Sequence, residues 1–485
     1  MTGGVSMKKY AVMVLAIMLA GVMAAGAWAD YWNEGHSGTE SDPYVIGTST
    51  ELEALRDRVN AGTEEAGRYY KLTANLNGNF ITVGTDRNPF RGHFDGQNHE
   101  IEVSVESQGN FSGLFGTVST EGSYAVRNLK IRFTGRLTSG ANTDGRSVGG
   151  IVLSLKSGII DNCSFSGTLS SYCGYEKDNT VGGIVGVMSG GTVRNCSFTG
   201  NLSADTVPGG SNRNVMAGGI VGVTKEGAGN IEGCSSTGRI YAGYFGYAGG
   251  IIGRTISAAT VKNCTFSGTV QGRAQAGGIA GFLSRCSVSD NTVLSTSTNP
   301  TLIKGGLYAG GIAGNLSGTS AESAVIESCV VSTTTVVEAD LDAGTAGGIV
   351  GLMGISTVKN NEAYASVRGK TAGGVIGKLR AATYSASGAG DILVSTSYAV
   401  ISNNRYSYSE HGIGSNAQGV PGDEGCTKVD MSGNNDTGNT QGDNQTDNQD
   451  DNTPAPSGGG GGGCNTFAGL TAILLAAITL RKSHS

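Results

Sequence analysis

The chain repeats itself, and the repeat restricts its fold more than any other feature. A pattern of Gly-Gly, Ile or Val, an apolar residue and Gly starts at Gly149, where Leu153 replaces the closing glycine. It returns at Gly182, Gly218, Gly249, Gly277, Gly310, Gly347 and Gly373, at intervals of 33, 36, 31, 28, 33, 37 and 26 residues. Ser112-Gly113-Leu114-Phe115-Gly116 leads the series. A period of this length marks a solenoid, because one short unit cannot bury its own apolar face and stacked units can.

A second signature follows each glycine pair: an apolar residue, a polar one, a turn-former and a ladder residue. The ladder residues are Leu129, Cys163, Cys196, Cys234, Cys264, Asn291, Cys329, Asn361 and Asn404. The turn-formers before them are Asn128, Asn162, Asn195, Gly233, Asn263, Asp290, Ser328, Asn360 and Asn403. All but Ser328 are types that accept the left-handed αL conformation. The apolar residue three places before the ladder cannot share its face in an unbroken strand, since strand side chains alternate. A one-residue αL corner removes the conflict and turns both inward. Two residues beyond the ladder come Ile131, Phe165, Phe198, Ser236, Phe266, Val293, Val331, Ala363 and Tyr406, on the same inward face. The expected fold is all-β: a parallel, right-handed β-helix solenoid whose like residues stack in ladders about 4.8 Å apart. The glycine pairs are read as letting backbones approach along one wall of a narrow coil. They do not read as a phosphate loop, which needs a helix start and a following Lys.

Units such as AGGIIGRTISAATVKNCTFSGTV (Ala248 to Val270) resemble the GLUG repeat, whose Gly-Leu-any-Gly core stands here as Gly113-Leu114-Phe115-Gly116. The leader, DPYVIGTSTELEALRDRVNAG with KLTANLNG and NPFRGHFDGQNHEIE, is similar to the segment that precedes such repeats in large exported bacterial proteins. The resemblance runs from about Asp42 to Asp430, with Ile or Val replacing Leu in the later repeats. It implies a surface-protein architecture and no particular activity. In the leader, Thr50-Glu51 followed by Leu52, Leu55 and Val59 reads as a short amphipathic helix that caps the open N-terminal end.

The two ends read as delivery signals. Lys8-Lys9, an apolar run from Ala11 to Met23 and Ala27-Trp28-Ala29 predict a signal peptide over residues 1–29, cut by signal peptidase between Ala29 and Asp30, with Met7 as the expected true start. Residues 30–110 are assigned to the cap and first turns, 111–430 to the repeats, and 431–463 to a disordered polar and Gly-rich linker. Residues 464–485 join a Cys to a 14-residue apolar run, Phe467 to Leu480, and to Arg481-Lys482. They resemble a C-terminal sorting signal of the Synergist-CTERM class, which implies Cys464 as the processing or lipid-attachment residue, a sorting peptidase as partner and a membrane anchor through a C-terminal hydrophobic helix. A permanent span is the other reading, although 14 residues fall short of the ~20 it requires.

Chemistry is sparse. A formal charge of −6 offers no basic face to nucleic acid. No short-spaced Cys or His set suits zinc, and no cofactor, metal or catalytic residue is assigned. Five of the nine cysteines are ladder residues. Export permits disulfides between them, while buried thiols serving as small hydrophobes is the simpler reading. The outward residues before the corner, Arg127, Asp161, Arg194, Glu232, Lys262, Ser289, Glu327, Lys359 and Ser402, alternate in sign through Lys262. That reads as register and solubility, not as the carboxylate pair of a glycosidase. His93 and His99 flank Asp95-Gly96 with Asp86 nearby, and read as a surface turn. Tyr241, Tyr244, Phe245 and Tyr247 are the candidate ligand contacts, with partial core packing as the alternative. The expectation is a surface-anchored, adhesin-like module for an extracellular glycan or protein. A carbohydrate-active β-helix enzyme and a structural envelope component stand as alternatives.

Overall fold

One turn of the coil shows how these residues become walls. In the computed structural model, strand Asn179–Gly182 belongs to a short wall, Val185–Met188 and Thr192–Arg194 to a long wall, and Ser197–Thr206 to a third wall. The next turn repeats the course in register: Gly182 lies beside Gly218, Val185 beside Val221, Val193 beside Ile231 and Phe198 beside Ser236. All of these pairings are parallel, so the chain forms three long parallel sheets, the arrangement of a parallel β-helical solenoid. The structure describes residues 35–429 except 65, 79–81, 105–111, 139–145, 174–177, 207–213, 228, 319–323, 341, 381–399, 408–412 and 416–425. The signal-peptide, linker and sorting assignments, including Ala29, Asp30 and Cys464, lie outside them. None of the described helices is long and apolar enough to cross a membrane.

The corner between the long and third walls is a single αL residue. Asn128, Asn162, Asn195, Gly233, Asn263, Asp290, Ser328, Asn360 and Asn403 all have φ between 50° and 59°. The odd member, Ser328, takes the same conformation at φ 54°. The ladder residues that follow, Leu129, Cys163, Cys196, Cys234, Cys264, Asn291, Cys329, Asn361 and Asn404, are all buried. Beyond them the rings of Phe133, Phe165 and Phe198 stack at 6.3 and 6.2 Å.

The glycine pairs sit at a corner rather than along a wall. Gly182 ends the short-wall strand and Gly183-Ile184 forms the bend into Val185. A Cβ on Gly182 would lie 1.9 Å from the Val185 carbonyl oxygen. One on Gly183 would lie 2.0 Å from the Gly219 oxygen of the next turn and 2.6 Å from the Phe198 ring. The third glycine, where the motif has one, is pressed against the neighbouring turn as well: a Cβ on Gly222 would lie 2.6 Å from the Gly186 oxygen. The motif therefore encodes a fold-back too tight for any side chain, with an inward ring packed over the bare backbone.

Repeat length varies at two connections. One follows the third-wall strand; the other falls within the long wall, as between Ala313–Ser317 and Ala324–Glu327. The leader forms helix α1 (Ser49–Ala61), whose N-cap is Thr48 and not Thr50. Thr48 and Glu51 make a reciprocal capping box, which satisfies two orphan amide groups of the first turn. Leu52, Leu55 and Val59 are buried in the same apolar core as Ile46, Leu72 and Leu76.

Candidate functional site

The ladder inside the coil is a polar device as much as an apolar one. Asn361 accepts from the Cys329 backbone N–H (2.9 Å) and donates to the carbonyls of Ile326 (3.1 Å) and Lys359 (2.9 Å) and to Asn404 Oδ1 (3.0 Å). Asn291 likewise accepts from Cys264 N–H and donates to Val261 and Ser289 carbonyls. The cysteines point their thiols at the corresponding carbonyls: Cys196 Sγ lies 3.6 Å from the Ile160 oxygen and 3.2 Å from that of Arg194. Asn and Cys thus perform one task at the corner, strongly and weakly. Cys163, Cys196, Cys234, Cys264, Cys286 and Cys329 are free thiols. Burial pushes Cys286 up to about 12 and Cys329 up to about 11, so these sulfurs are neither nucleophiles nor ready metal ligands at neutral pH.

Outside the corner, the charge ladder reaches further than the sequence pattern suggests. Asp95, expected in a surface turn, is buried in strand His93–Asp95 and lies beside Arg127. Its carboxylate accepts from Arg127 Nε (2.7 Å), Asn128 Nδ2 (3.0 Å) and the Gln97 N–H (2.9 Å). Burial pushes this carboxyl upward, but the three donors outweigh it and hold it below the usual range. Asp161 is held low in the same way, with Arg194 at 2.8 Å and Asn195 at 3.0 Å as donors against the upward push of burial. Lys359 and Glu327 pair at 3.0 Å further along. His93 is not on a surface turn either: it is buried, stacks on Tyr69 at 4.2 Å and contacts the Tyr124 carbonyl oxygen at 2.5 Å. His99 meets Asn75, and Asp86 accepts from Thr117 at 2.7 Å. Each of the three has its own partners. Among the described residues no group of three or more His, Cys, Asp or Glu is placed to hold a metal ion.

The aromatic stretch divides. Tyr241 is half-buried on the third wall, beside Ser203 and Gln271. Tyr244 and Phe245 are exposed at the corner before the short wall, their rings edge-on at 4.5 Å. Phe245 holds φ at 50°, a conformation that costs a bulky residue about 1–2 kcal/mol, and so displays its ring at some expense. Tyr247 lies elsewhere. It begins a row on the short wall, Tyr247–Gln275–Tyr308, on successive turns. Opposite runs a long-wall row, Arg254–Phe282–Asn315, also on successive turns. The two rows meet across the glycine fold-back. The Tyr247 and Phe282 rings pack edge-to-face at 5.9 Å, and the Arg254 guanidinium lies 5.0 Å from the first and 5.2 Å from the second. Arg254 Nη1 donates to Asn214 Oδ1 at 2.7 Å.

Exposed apolar residues gather on this same crease. Phe245 and Leu307 directly precede short-wall strands, and Ile256 directly follows the long-wall strand that carries Arg254. All three are more than 40 % exposed. Sequence reasoning missed Gln275, Phe282, Arg254, Tyr308 and Asn315 because they are scattered over three turns; their constant offset from the glycine pair was the available signal.

Fold and site together define a class: a glycine-rich parallel β-helical repeat protein with a mixed aromatic and polar crease along its axis. The GLUG motif model matches residues 246–271, the turn that carries Tyr247 and Arg254. Over 136 residues the chain is 29% identical to a protein of Evansella cellulosilytica named as a Gly-rich membrane protein, a stretch of 27% of this chain. The match spans about 15% of that relative's length. A crystal structure from Bacteroides ovatus named as an immunoglobulin A1 protease aligns with a TM-score of 0.37 and 21% identity, over 61% of this chain and 77% of that one. A score so low transfers neither fold detail nor activity.

Proposed function

We propose that this protein is an adhesin-like binding module of the bacterial cell surface, whose right-handed coil presents the crease to an extracellular glycan or protein. The observation that supports this most directly is the pair of facing rows, Tyr247–Gln275–Tyr308 and Arg254–Phe282–Asn315, with exposed apolar residues on either side. Aromatic faces interleaved with fixed polar groups suit binding. Turnover is less well served, since Asp42, Asp86, Asp95 and Asp161 are all displaced toward lower pKa, opposite to what a general acid requires.

Delivery follows from the ends: signal peptidase cuts between Ala29 and Asp30, residues 431–463 act as a spacer, and a sorting peptidase processes the Synergist-CTERM-like tail at Cys464 before membrane anchoring. The kinship of one stretch to a Gly-rich membrane protein agrees with an envelope location. The test is to screen the full chain on glycan and protein arrays while assaying release of reducing or unsaturated ends, and to treat intact cells with protease. Binding that Tyr247→Ala abolishes, without product release, is the expected result. Product release that one carboxylate substitution abolishes would establish the enzyme instead. Protection of the protein on intact cells would refute display, and an envelope defect on deletion without loss of adhesion would favour the structural role.

A further inference from the structure

We infer that the crease takes an anionic polysaccharide, laid lengthwise along the coil, with carboxylate or sulfate groups read by Arg254 and Arg273. This rests on the binding role proposed above and names its ligand class.

Geometry favours a polymer read by its side groups. Every strand along the crease is hydrogen-bonded to the turns before and after it, so no free strand edge runs along the axis. A peptide therefore cannot bind there by adding a strand, the route that gives extended peptides most of their affinity. A ligand lying along the axis meets side chains only, repeated at the rung spacing of about 4.8 Å. That spacing is close to one sugar of an extended chain. Tyr247 and Phe282 on consecutive turns, then Tyr308 beyond Gln275, set aromatic faces along the same line.

Two unpartnered atoms specify the chemistry. Gln275 is 8 % exposed, and its Oε1 has no hydrogen-bond partner. Arg254 uses Nη1 on Asn214, while its buried Nε has none. An unpaired buried polar atom costs about 1–3 kcal/mol, and a ligand that supplies its partner recovers this. Gln275 requires a donor, which a sugar hydroxyl provides. Arg254 requires an acceptor, and for a guanidinium the best one is a carboxylate or sulfate oxygen. Neutral glycans meet the first need only. The second cation, Arg273, is exposed at the corner where the preceding turn carries Tyr244. The ion pairs recorded along the wall ladders occupy Arg127, Arg194 and Lys359, but neither Arg254 nor Arg273 has a carboxylate partner among the described residues.

The experiment uses the full chain and two matched pairs of polymers, polygalacturonate against its methyl ester and dextran sulfate against dextran. The expected result is at least about tenfold tighter binding to one charged member than to its neutral twin, with affinity falling as salt rises. Arg254→Gln reduces the charged affinity about tenfold more than the neutral one, so the preference for the charged polymer falls. Arg273→Gln, at an exposed position outside the packed rows, acts in the same direction and serves where the first variant disturbs the fold. Charged and neutral polymers bound equally, with both Arg variants silent and Tyr247→Ala damaging, would overturn the anionic preference but leave a crease that binds. Binding unchanged by Tyr247→Ala would overturn the crease itself.

Discussion

If Asn and Cys do one task at the inner corner, Asn361 is the place to measure it. Replacing Asn361 with Ala removes four hydrogen bonds of 2.9–3.1 Å. Not all of that is lost stability, because the Lys359 carbonyl still receives the Ser328 N–H. The Cys329 N–H has no such substitute and would be stranded in a dry core, whereas Asn404 Oδ1 keeps the backbone N–H of residue 361 at 3.0 Å. At roughly 1–3 kcal/mol for an orphaned group and about 1 kcal/mol for each remaining bond, Asn361→Ala costs about 3 kcal/mol. Asn361→Cys restores a weak donor aimed at the same carbonyls and a sulfur that can accept the N–H, so it costs about 1 kcal/mol. A solenoid opens turn by turn, so the sensitive assay is amide hydrogen exchange of the turns carrying Cys329 and Asn361, with urea unfolding of the full chain alongside. The Ala variant should accelerate exchange there by about two orders of magnitude, and the Cys variant by about tenfold or less. Equal damage from Ala and Cys would refute the equivalence and leave the cysteines as fillers of volume only.

Three further outcomes follow from the same geometry. Gly183→Ala should destabilise by about 3 kcal/mol or more in urea unfolding, because its Cβ meets a main-chain oxygen at 2.0 Å that cannot retreat. Ser328→Gly should stabilise by about 1 kcal/mol, since Ser carries the αL penalty that glycine lacks; an unchanged unfolding midpoint would contradict this. Native Cys286 and Cys329 should resist a thiol reagent at pH 8 and react once the protein is unfolded. Both thiols are raised above their ordinary value of 9.0 in the folded state, so the stability they contribute is complete below pH 9 and declines above it as the unfolded chain ionises.

The inner half of the fold was legible because inner positions answer to few residue types. An αL corner admits Asn, Gly or Asp, and Asn195 with Cys196 and Phe198 reports a corner, a ladder and a core position in four residues. The glycine pair was legible as a constraint but not as a place. Close approach is common to a flat wall and a fold-back, and only the 1.9 Å conflict between Gly182 and the Val185 oxygen distinguishes them. Asp95 was misread because Asp-Gly is the usual signature of an exposed turn; Arg127 and Asn128, which bury and pair it, lie one turn on and more than 30 residues away. The N-cap slipped by two residues for a related reason, as Thr48 and Thr50 both precede an acidic residue and only Thr48 completes the reciprocal box.

The same division explains why the crease is not written in the repeat. At the fold-back the inward and contacting positions admit few types: glycine at three places with Leu153 the exception, Ala or Val on the short wall as at Ala248 and Val181, and Ile or Val in the bend as at Ile251 and Val375. The positions that project into the crease have no such requirement. Along the short wall they run Thr180, Met216, Tyr247, Gln275, Tyr308 and Thr345, and along the long wall Val187, Val223, Arg254, Phe282, Asn315 and Leu352. The long-wall row goes on from Leu352 to Lys378; otherwise Thr, Met, Val and Leu flank the aromatic and polar residues, which stand together on the three turns in the middle. If the rows only covered backbone, nothing would favour that concentration, and any turn could carry Tyr or Arg. A scan that exchanges the crease residues of the middle turns for Thr and Val from the outer turns should therefore abolish ligand binding with little change in urea midpoint. Loss of the fold on that exchange would mean that the middle turns need their aromatic and charged residues for packing, and that the crease is structural.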